Sequence, residues 1–321
     1  MSSKDNQNKR LLSGIKPTGE LHIGNYFGAM KQFLDFQDEY QSFIFIADYH
    51  ALTTAHDPER LRENIYKLIA GYLAIGLDPK KVTFYKQSDI PEHTELSWIF
   101  NSITTMPYLM RAHAFKDAQA KNKEISVGTF DYPMLMAADI LMYDPNVVPV
   151  GKDQKQHIEI TRDTAEKFNR LFGETFTLPE PMILEEVATV PGVDGQKMSK
   201  SYNNTIPLFA SHDEISKAVM SIVTDSSGGH PENVYAIHKL FKSEEELKVL
   251  YKEKEGNYKE LKEALIEDIE TVIAPMREKY NALLEDKTEI VNILNSGAKV
   301  AREIAQKKME DVRRKIGVTL N

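Results

Sequence analysis

Apolar and polar positions follow two different patterns along the 321-residue chain, and the change falls near residue 205. Before that point, short apolar runs rich in β-branched and aromatic residues are separated by amphipathic stretches long enough to form helices. The runs lie at residues 11–12, 42–48, 81–85 and 147–150, and two of the helical stretches lie at residues 58–76 and 153–171. Runs of this kind are typical of buried strands, so the alternation predicts βαβ units and a parallel sheet.

Strand signals fade after about Pro207, and long charged amphipathic patterns follow. These patterns predict helices over residues 244–256, 258–275 and 284–316. We therefore expect a disordered or extended N-terminus over residues 1–10, a Rossmann-like α/β domain over residues 11–205 and an all-helical domain over residues 206–321. The last helix is long enough to pack back on the α/β domain. In open parallel sheets of this type, ligands bind beyond the carboxyl ends of the strands.

The composition is that of an ordinary globular chain, and it excludes several kinds of site. No apolar run approaches the roughly 18 residues of a membrane span, and residues 1–10 lack the apolar core of a secretory signal. The chain has no cysteine, which excludes disulfides and thiolate metal sites and fits a cytoplasmic location. A formal net charge of −8 argues against indiscriminate nucleic-acid binding. Basic and acidic positions alternate between residues 299 and 315, which predicts a solvated helix face.

Two separate polar motifs carry the candidate chemistry. Residues 14–25 read Gly-Ile-Lys-Pro-Thr-Gly-Glu-Leu-His-Ile-Gly-Asn, a glycine-rich turn that opens a helix and can face phosphate oxygens. We expect Gly14 and Gly19 to adopt the tight, positive-φ geometry that glycine permits. Taken alone, this turn is more simply an ordinary strand–turn–helix connection. Residues 197–201 read Lys-Met-Ser-Lys-Ser and offer ammonium and hydroxyl donors for a polyphosphate, the alternative being a solvated basic loop. Together, the two motifs indicate an enzyme that cleaves ATP at the α-phosphate.

The pairing of His-Ile-Gly-Asn at residues 22–25 with Lys-Met-Ser-Lys-Ser at residues 197–201 resembles the two signatures of class I aminoacyl-tRNA synthetases. Blocks at residues 14–19, 48–51, 132–140 and 151–157 resemble the tryptophan-specific family of this class, so the resemblance covers essentially the whole chain. Lys16 and Lys152 depart from the pattern, since many relatives carry glutamine and glutamate there.

The resemblance implies a tryptophan–tRNA ligase that activates tryptophan with ATP and transfers it to the 2′-OH of the terminal adenosine of tRNA(Trp). It also implies a homodimer, an anticodon-binding helical domain and Mg²⁺ carried by the ATP phosphates, with no metal site in the protein. Carried over residue by residue, the catalytic groups are His22, Asn25, Lys197, Lys200 and Ser201, and these positions of the two motifs also contact ATP. The further ATP contacts are Lys16, Pro17, Thr18, Gly24, Gly151, Lys152, Asp153, Val190, Met198 and Ser199.

The residues themselves add an argument for the amino acid. Tyr132, Met136 and Asp139 are spaced i, i+4, i+7 in an apolar segment and so share one face of a predicted helix. A buried carboxylate needs a donor, and indole has one N–H donor and no acceptor. From the residues alone, pairing with a structural arginine or capping of a neighbouring helix is the simpler explanation of Asp139, whereas the resemblance favours a tryptophan pocket. It adds Leu12, His50, Val148, Val150 and Gln154 to the expected tryptophan contacts.

Three other functions remain open from the sequence. They are a tyrosyl-tRNA synthetase, a small-molecule adenylyltransferase of similar fold, and a non-catalytic synthetase-like protein that binds tryptophan or RNA. The segment Met-Ala-Ala-Asp at residues 136–139 favours tryptophan over tyrosine. The long helical C-terminal domain and the five-residue lysine motif argue against the adenylyltransferase, and the intact Lys197 and Lys200 argue against a non-catalytic protein.

Overall fold

Five parallel strands form one sheet in the part of the chain that the computed structural model describes, which is residues 9–120, 124–151, 154–183, 190–224 and 230–320. The strands are β1 (Arg10–Ile15), β2 (Gln41–Ile46), β3 (Val82–Lys86), β4 (Val147–Val150) and β5 (Glu180–Ile183). Their order is β3-β2-β1-β4-β5, so the direction of winding reverses between β1 and β4. The predicted Rossmann-like α/β fold is confirmed, and its ligand crevice is expected at the carboxyl ends of β1 and β4.

Helices surround the sheet and make up the C-terminal part of the chain. Up to residue 183 they are α1 (Ile23–Asn25), α2 (Lys31–Glu39), α3 (Asp48–Ala51), α4 (Pro58–Ile75), α5 (Glu92–Ile103), α6 (Met106–Leu109), α7 (His113–Ala120), α8 (Val127–Leu141) and α9 (Lys155–Phe172). A π-helical turn (Tyr26–Met30) joins α1 to α2. The later helices are α10 (His212–Met220), α11 (Glu232–His238), α12 (Glu244–Glu253), α13 (Tyr258–Glu285) and α14 (Thr288–Lys315).

Alternation along the strands divides the interior into two apolar cores, one on each face of the sheet. In β2, Ile44 and Ile46 belong to the first core, whereas Phe43 and Phe45 belong to the second. This is the period of two that a strand imposes on its side chains. The second core also contains the apolar part of α8, and it is the core beside which the candidate site lies.

Three sequence predictions about the elements are wrong in detail. The strand predicted over residues 42–48 ends at Ile46, and β5 was not predicted because it is a four-residue edge strand that includes Pro181. The helix predicted to end at Pro275 continues to Glu285, so the next helix begins at Thr288 rather than at residue 284. Ile273 and Leu283, on either side of the proline, are both buried in the first core, and this packing outweighs the hydrogen bond that proline removes.

The last helix, α14, lies against the edge strand β3. Its early residues Ile290 and Leu294 belong to the first core, whereas residues from Ala298 onward belong to the second. Gly297 stands between them, where a Cβ atom would be 2.0 Å from the carbonyl oxygen of Phe84. The helix therefore crosses from one face of the sheet to the other at the only residue type that fits this approach.

Polar contacts hold the same helix to the sheet. Arg302 donates to the carbonyl oxygen of Asp89 at 2.7 Å, and Arg313 forms an ion pair with Glu95. Lys308 forms an ion pair with Asp144 at 2.5 Å, with the Lys308 side chain mostly buried. The expectation of a purely solvated basic face is wrong for these residues, since their partners lie on distant parts of the chain.

The close approach of Gly297 predicts a stability effect opposite to helix propensity. Gly297→Ala should lower the free energy of unfolding by about 2 kcal/mol, because the added methyl group overpacks the contact with Phe84. In an open helix the same change would be stabilising. The measurement is denaturant unfolding, with Asn295→Ala on the exposed face of α14 as the matched control. Equal or higher stability of Gly297→Ala would contradict the packing described above.

Candidate active site

A cavity of about 530 Å³ opens at the carboxyl ends of β1 and β4, where the winding of the sheet reverses. Its walls come from β1, β4, α3, α8 and the start of α9. All eight residues that the sequence singled out for the amino acid line it: Leu12, His50, Tyr132, Met136, Asp139, Val148, Val150 and Gln154. The structure thus brings these residues together, while their individual roles stay predictions.

Among the described residues, Asp139 is the one carboxylate in the wall of this cavity, and it is almost fully buried. Its Oδ1 accepts hydrogen bonds from Gln87 Nε2 at 2.7 Å and from His93 Nδ1 at 2.5 Å. Its Oδ2 accepts from His50 Nε2 at 2.8 Å. The sequence alternative of a structural partner is therefore partly right, although the partners are two histidines and a glutamine rather than an arginine.

The surroundings of Asp139 keep it ionised. Burial by itself would raise the pKa of Asp139, but the hydrogen bonds and charges of His50 and His93 outweigh burial and hold the pKa below the ordinary value. An ionised carboxylate only accepts, so the histidine nitrogens that face it carry the protons. A protonated ring nitrogen of each histidine thus faces an acceptor oxygen of Asp139.

A second layer of polar side chains supports the histidine that lies deepest. His93 Nε2 contacts the hydroxyl of Tyr143 at 2.8 Å, and both side chains are fully buried. Burial raises the pKa of Tyr143, so its hydroxyl keeps its proton. Gln87 accepts backbone N–H bonds from Tyr49 at 3.1 Å and from His50 at 3.4 Å while its amide reaches Asp139. These residues therefore fix the position of the carboxylate.

Neither Gln87 nor His93 was predicted as a site residue. Gln87 directly follows β3, and a polar residue at the carboxyl end of a parallel strand is a recognisable signal. His93 lies inside a helix among polar neighbours, and nothing in its local pattern points to Asp139.

Two other side chains that line the cavity have defined partners. The hydroxyl of Tyr132 lies 2.6 Å from His157 Nε2, and its ring meets that of His50 edge-on at 6.1 Å between centroids. Lys16 donates to the hydroxyl of Thr53 at 3.1 Å, and burial lowers the pKa of Lys16. Lys16 also lines a second cavity of about 310 Å³ together with Pro17 and Thr18, so the two spaces adjoin.

The glycine-rich turn leads from β1 into α1. Gly19 has a φ of +99°, as predicted for a tight turn, whereas Gly14 lies in β1 and is required for space: a Cβ there would be 2.4 Å from the ring of Phe45. The predicted left-handed geometry of Gly14 is therefore wrong. His22 precedes α1, and its backbone N–H donates to Asn25 Oδ1 at 3.1 Å. The side-chain oxygen of Asn25 thus accepts a backbone N–H at the start of the helix.

The lysine motif contacts the glycine-rich turn directly. Lys200 Nζ donates to the carbonyl oxygen of Thr18 at 3.1 Å, and the backbone N–H of Gly24 lies 3.3 Å from Met198 Sδ. Met198 is buried in the first core, so one residue of this polar motif is an apolar anchor. The two motifs, separated by more than 170 positions, therefore form one continuous surface.

The other predicted ATP contacts are placed as follows. Val190 is buried beside Met198 and accepts the backbone N–H of Met198 at 2.9 Å. Gly151 lines the larger cavity. Lys197 and Ser201 are exposed, and Ser199 Oγ accepts the N–H of Ser201 at 3.3 Å. Lys152 and Asp153 lie outside the described residues.

The described residues contain no group of three or more histidine, aspartate or glutamate side chains arranged to hold a metal ion. Across the same ranges, no helix combines the length and the apolar character needed to traverse a bilayer.

The chain is similar to known proteins over almost its whole length. The family model described as tRNA synthetases class I (W and Y) matches residues 4–292. A tryptophan–tRNA ligase of Fusobacterium nucleatum is 49% identical over 322 residues, covering 98% of this chain and 99% of the relative. The chain belongs to the tryptophanyl-tRNA synthetases of class I. The resemblance carried by the two motifs is thereby confirmed.

Solved structures agree with this membership. The crystal structure of tryptophanyl-tRNA synthetase from Campylobacter jejuni complexed with ADP and tryptophan superposes with a TM-score of 0.92 at 49% identity, covering 96% of this chain and 99% of that one. A tyrosyl-tRNA synthetase from Archaeoglobus fulgidus, at 19% identity and a TM-score of 0.65, shares the fold alone.

The environment of His22 predicts a pH effect. Burial, together with the charge of Lys200, lowers the pKa of His22 from 6.5 to about 4. The unfolded histidine takes up its proton near pH 6.5, whereas the folded one does so only near pH 4, so acidification through this window favours the unfolded state. The parent should therefore lose more unfolding free energy between pH 6.5 and 4 than His22→Gln does.

Denaturant unfolding at a series of pH values tests this difference. The control is His56→Gln, which removes an exposed histidine and should follow the parent. Parallel losses in the parent and in His22→Gln would contradict the assignment of a neutral, buried His22.

Proposed function

We propose that the chain activates L-tryptophan with ATP and transfers it to tRNA(Trp). The observation that carries the proposal is the ionised, buried Asp139 in the wall of an apolar cavity that adjoins the two phosphate-type motifs. The Campylobacter jejuni relative, whose crystal structure is a complex with ADP and tryptophan, supports the same pair of ligands.

The hydrogen bonds at Asp139 favour indole. A carboxylate offers about four acceptor positions; protein donors take two on Oδ1 and one on Oδ2. The remaining position on Oδ2 matches the single N–H of an indole ring. The phenol of tyrosine could donate as well, but it would also bring an acceptor oxygen toward His50, His93 and Gln87, whose facing donors are already directed at Asp139.

Apolar surfaces complete the fit to an aromatic ring. Leu12, Val148 and Val150 are buried strand residues, and Met136 stands one helical turn before Asp139. A flat ring placed among them buries apolar area while its one polar atom meets the carboxylate. Shape and polarity therefore select the same ligand.

Activation needs positioning more than acid–base chemistry. The carboxylate of tryptophan is already a nucleophile at neutral pH; it attacks the α-phosphorus of ATP, a carboxylate–phosphorus bond forms, and pyrophosphate leaves with the electron pair of the broken bond. Thr18, His22 and Asn25 would bind the phosphates on one side, and the groups of the lysine motif would bind them on the other: Lys197, Lys200 and Ser201. Mg²⁺ enters as part of the ATP substrate.

The contact between Lys200 and Thr18 supports this arrangement. Lys200 Nζ donates to a backbone carbonyl, and Glu20, the carboxylate whose charge acts on it, forms its ion pair with Lys67 instead. Burial lowers its pKa, which raises the benefit of an incoming anion. ATP would therefore replace a weak neutral acceptor with charged phosphate oxygens.

The second step uses the tRNA itself as the nucleophile. The 2′-OH of the terminal adenosine attacks the carbonyl carbon of the adenylate, an ester forms, and AMP leaves. We assign anticodon binding to the helical residues 206–321 and the catalytic steps to residues 11–205. We assign the reaction to the cytoplasm, because a chain without cysteine fits a reducing compartment.

A second copy of the chain is part of the proposal. Trp98, Met106, Met110 and Val127 expose large apolar side chains, Trp98 to 73%. They lie on or beside α5, α6 and α8, and both α5 and α6 pack on α8. An apolar surface of this kind is typical of an interface between subunits, so we place the homodimer contact here.

Exchange of pyrophosphate into ATP, measured with tryptophan and tyrosine separately, tests the activity. Asp139→Asn should lower kcat/KM for tryptophan about 10- to 100-fold, since the amide cannot accept from all the donors around it. The KM for ATP should stay within about twofold of the parent if the two subsites bind independently. The control is Asp131→Asn, on the same helix and bonded to Asn101 rather than directed into the cavity.

Each outcome of this assay separates the candidate functions. Unchanged tryptophan activity and selectivity in Asp139→Asn would refute the role of Asp139. Exchange that depends on tyrosine would favour the tyrosyl alternative, and tryptophan binding without exchange would favour the non-catalytic one.

The proposed dimer face can be tested with the chain's single tryptophan. Val127→Glu should yield monomers and shift the Trp98 emission to longer wavelength, because the carboxylate opposes burial of the face. Val249→Glu, an exposed valine on α12, is the control and should remain dimeric. Mass by analytical ultracentrifugation is the measurement, and a monomeric parent at micromolar concentration would overturn the assignment.

A further inference from the structure

The lysine motif lies on one arm of a small hairpin. Pro191 pairs with Lys197 in antiparallel register, and the N–H of Met198 donates to Val190 at 2.9 Å. The tip closes where the N–H of Gly192 donates to the carbonyl oxygen of Gln196 at 2.6 Å. Beyond the hairpin the chain turns through Lys200–Tyr202 and returns toward it.

Asn204, three positions after the motif, fills the space between the hairpin and the returning chain. It is 1% exposed. Its Nδ2 donates to Asp194 Oδ1 at 2.7 Å and to the carbonyl oxygen of Lys197 at 3.1 Å. Its Oδ1 accepts the N–H of Ser199 at 2.8 Å. One carboxamide thus holds the tip of the hairpin and two residues of the motif.

The hairpin also leaves room for this side chain. A Cβ on Gly192 would lie 2.3 Å from Asn204 Nδ2 and 2.6 Å from its backbone oxygen. The N–H of Val193 donates to that same backbone oxygen at 3.0 Å. Gly192 and Asn204 therefore form one packed unit.

We propose that Asn204 is a positioning residue for ATP activation, acting through the backbone of Lys197 and Ser199. The side chain of Lys197 is exposed, so the direction in which it can reach is set by its backbone. Asn204 holds that backbone on one side, and buried Met198 holds it on the other. The inference rests on the proposed role of Lys197 and Lys200 at the phosphates.

The test compares steady-state pyrophosphate exchange in the full-length parent and in Asn204→Asp. The substitution keeps the shape but places a carboxylate against Asp194 and the Lys197 carbonyl. We expect kcat/KM for ATP to fall about 10- to 100-fold while the KM for tryptophan stays within about twofold. Adding Asp194→Asn reverses the donor and acceptor of that pair and should recover part of the loss.

Gln196→Ala is the matched control, because it removes an exposed side chain from the same hairpin. Asn204 variants that behave like this control, or that raise the KM for tryptophan as much as they affect ATP, would overturn the inference. Lys200→Ala, measured in parallel, separates the two proposals. Normal exchange by Lys200→Ala would refute the proposed role of the motif. Defective exchange by Lys200→Ala together with normal exchange by the Asn204 variants would refute only the role of Asn204. Should Asn204→Asp not fold, Asn204→Ser and Gly192→Ala decide by the same criteria.

Discussion

One buried negative charge organises the α/β part of the chain. Asp139 needs donors, and the fold supplies them from three separate elements that follow β2, follow β3 and lie within α5. Each donor is itself held: His93 by Tyr143, and Gln87 by the backbone of Tyr49 and His50. Removing any one donor would leave a charge partly unpaired in an apolar core, so these elements are constrained to one arrangement.

Hydrogen bonds between distant segments likewise hold the glycine-rich turn and the lysine motif in place. The glycine-rich turn is joined to the segment after the lysine motif by backbone hydrogen bonds from Ile23 to Ile206 and from Leu208 to Leu21, at 3.0 and 2.9 Å. On its other side, the hairpin is tied to the helical region where Val223 donates to Val193 at 2.7 Å. The lysine motif is therefore held between the sheet and the helices rather than attached as a free loop.

The sequence patterns predicted the features that depend on residues close together in the chain. The spacing of Tyr132, Met136 and Asp139 placed them on one helix face, and the apolar runs located four of the five strands. Contacts between distant elements could not be predicted: the place of Gln87 at the end of β3 indicates a site but not its partner, and nothing near His93 indicates its contact with Asp139. The prediction that α13 ends at Pro275 was wrong for the same reason, since the burial that stabilises the helix beyond this residue comes from contacts with the rest of the fold.

The placement of Gly297 has a consequence for how the protein is made. During synthesis, β3 is complete long before α14, the helix that covers it, because residues 87–287 lie between the two elements. At roughly 10 residues per second, the outer edge of the sheet stays open for about 20 seconds. An open edge can pair with strands of other nascent chains. The period of greatest exposure to misassembly is thus set by the order of elements along the chain, and it ends when α14 reaches Phe84.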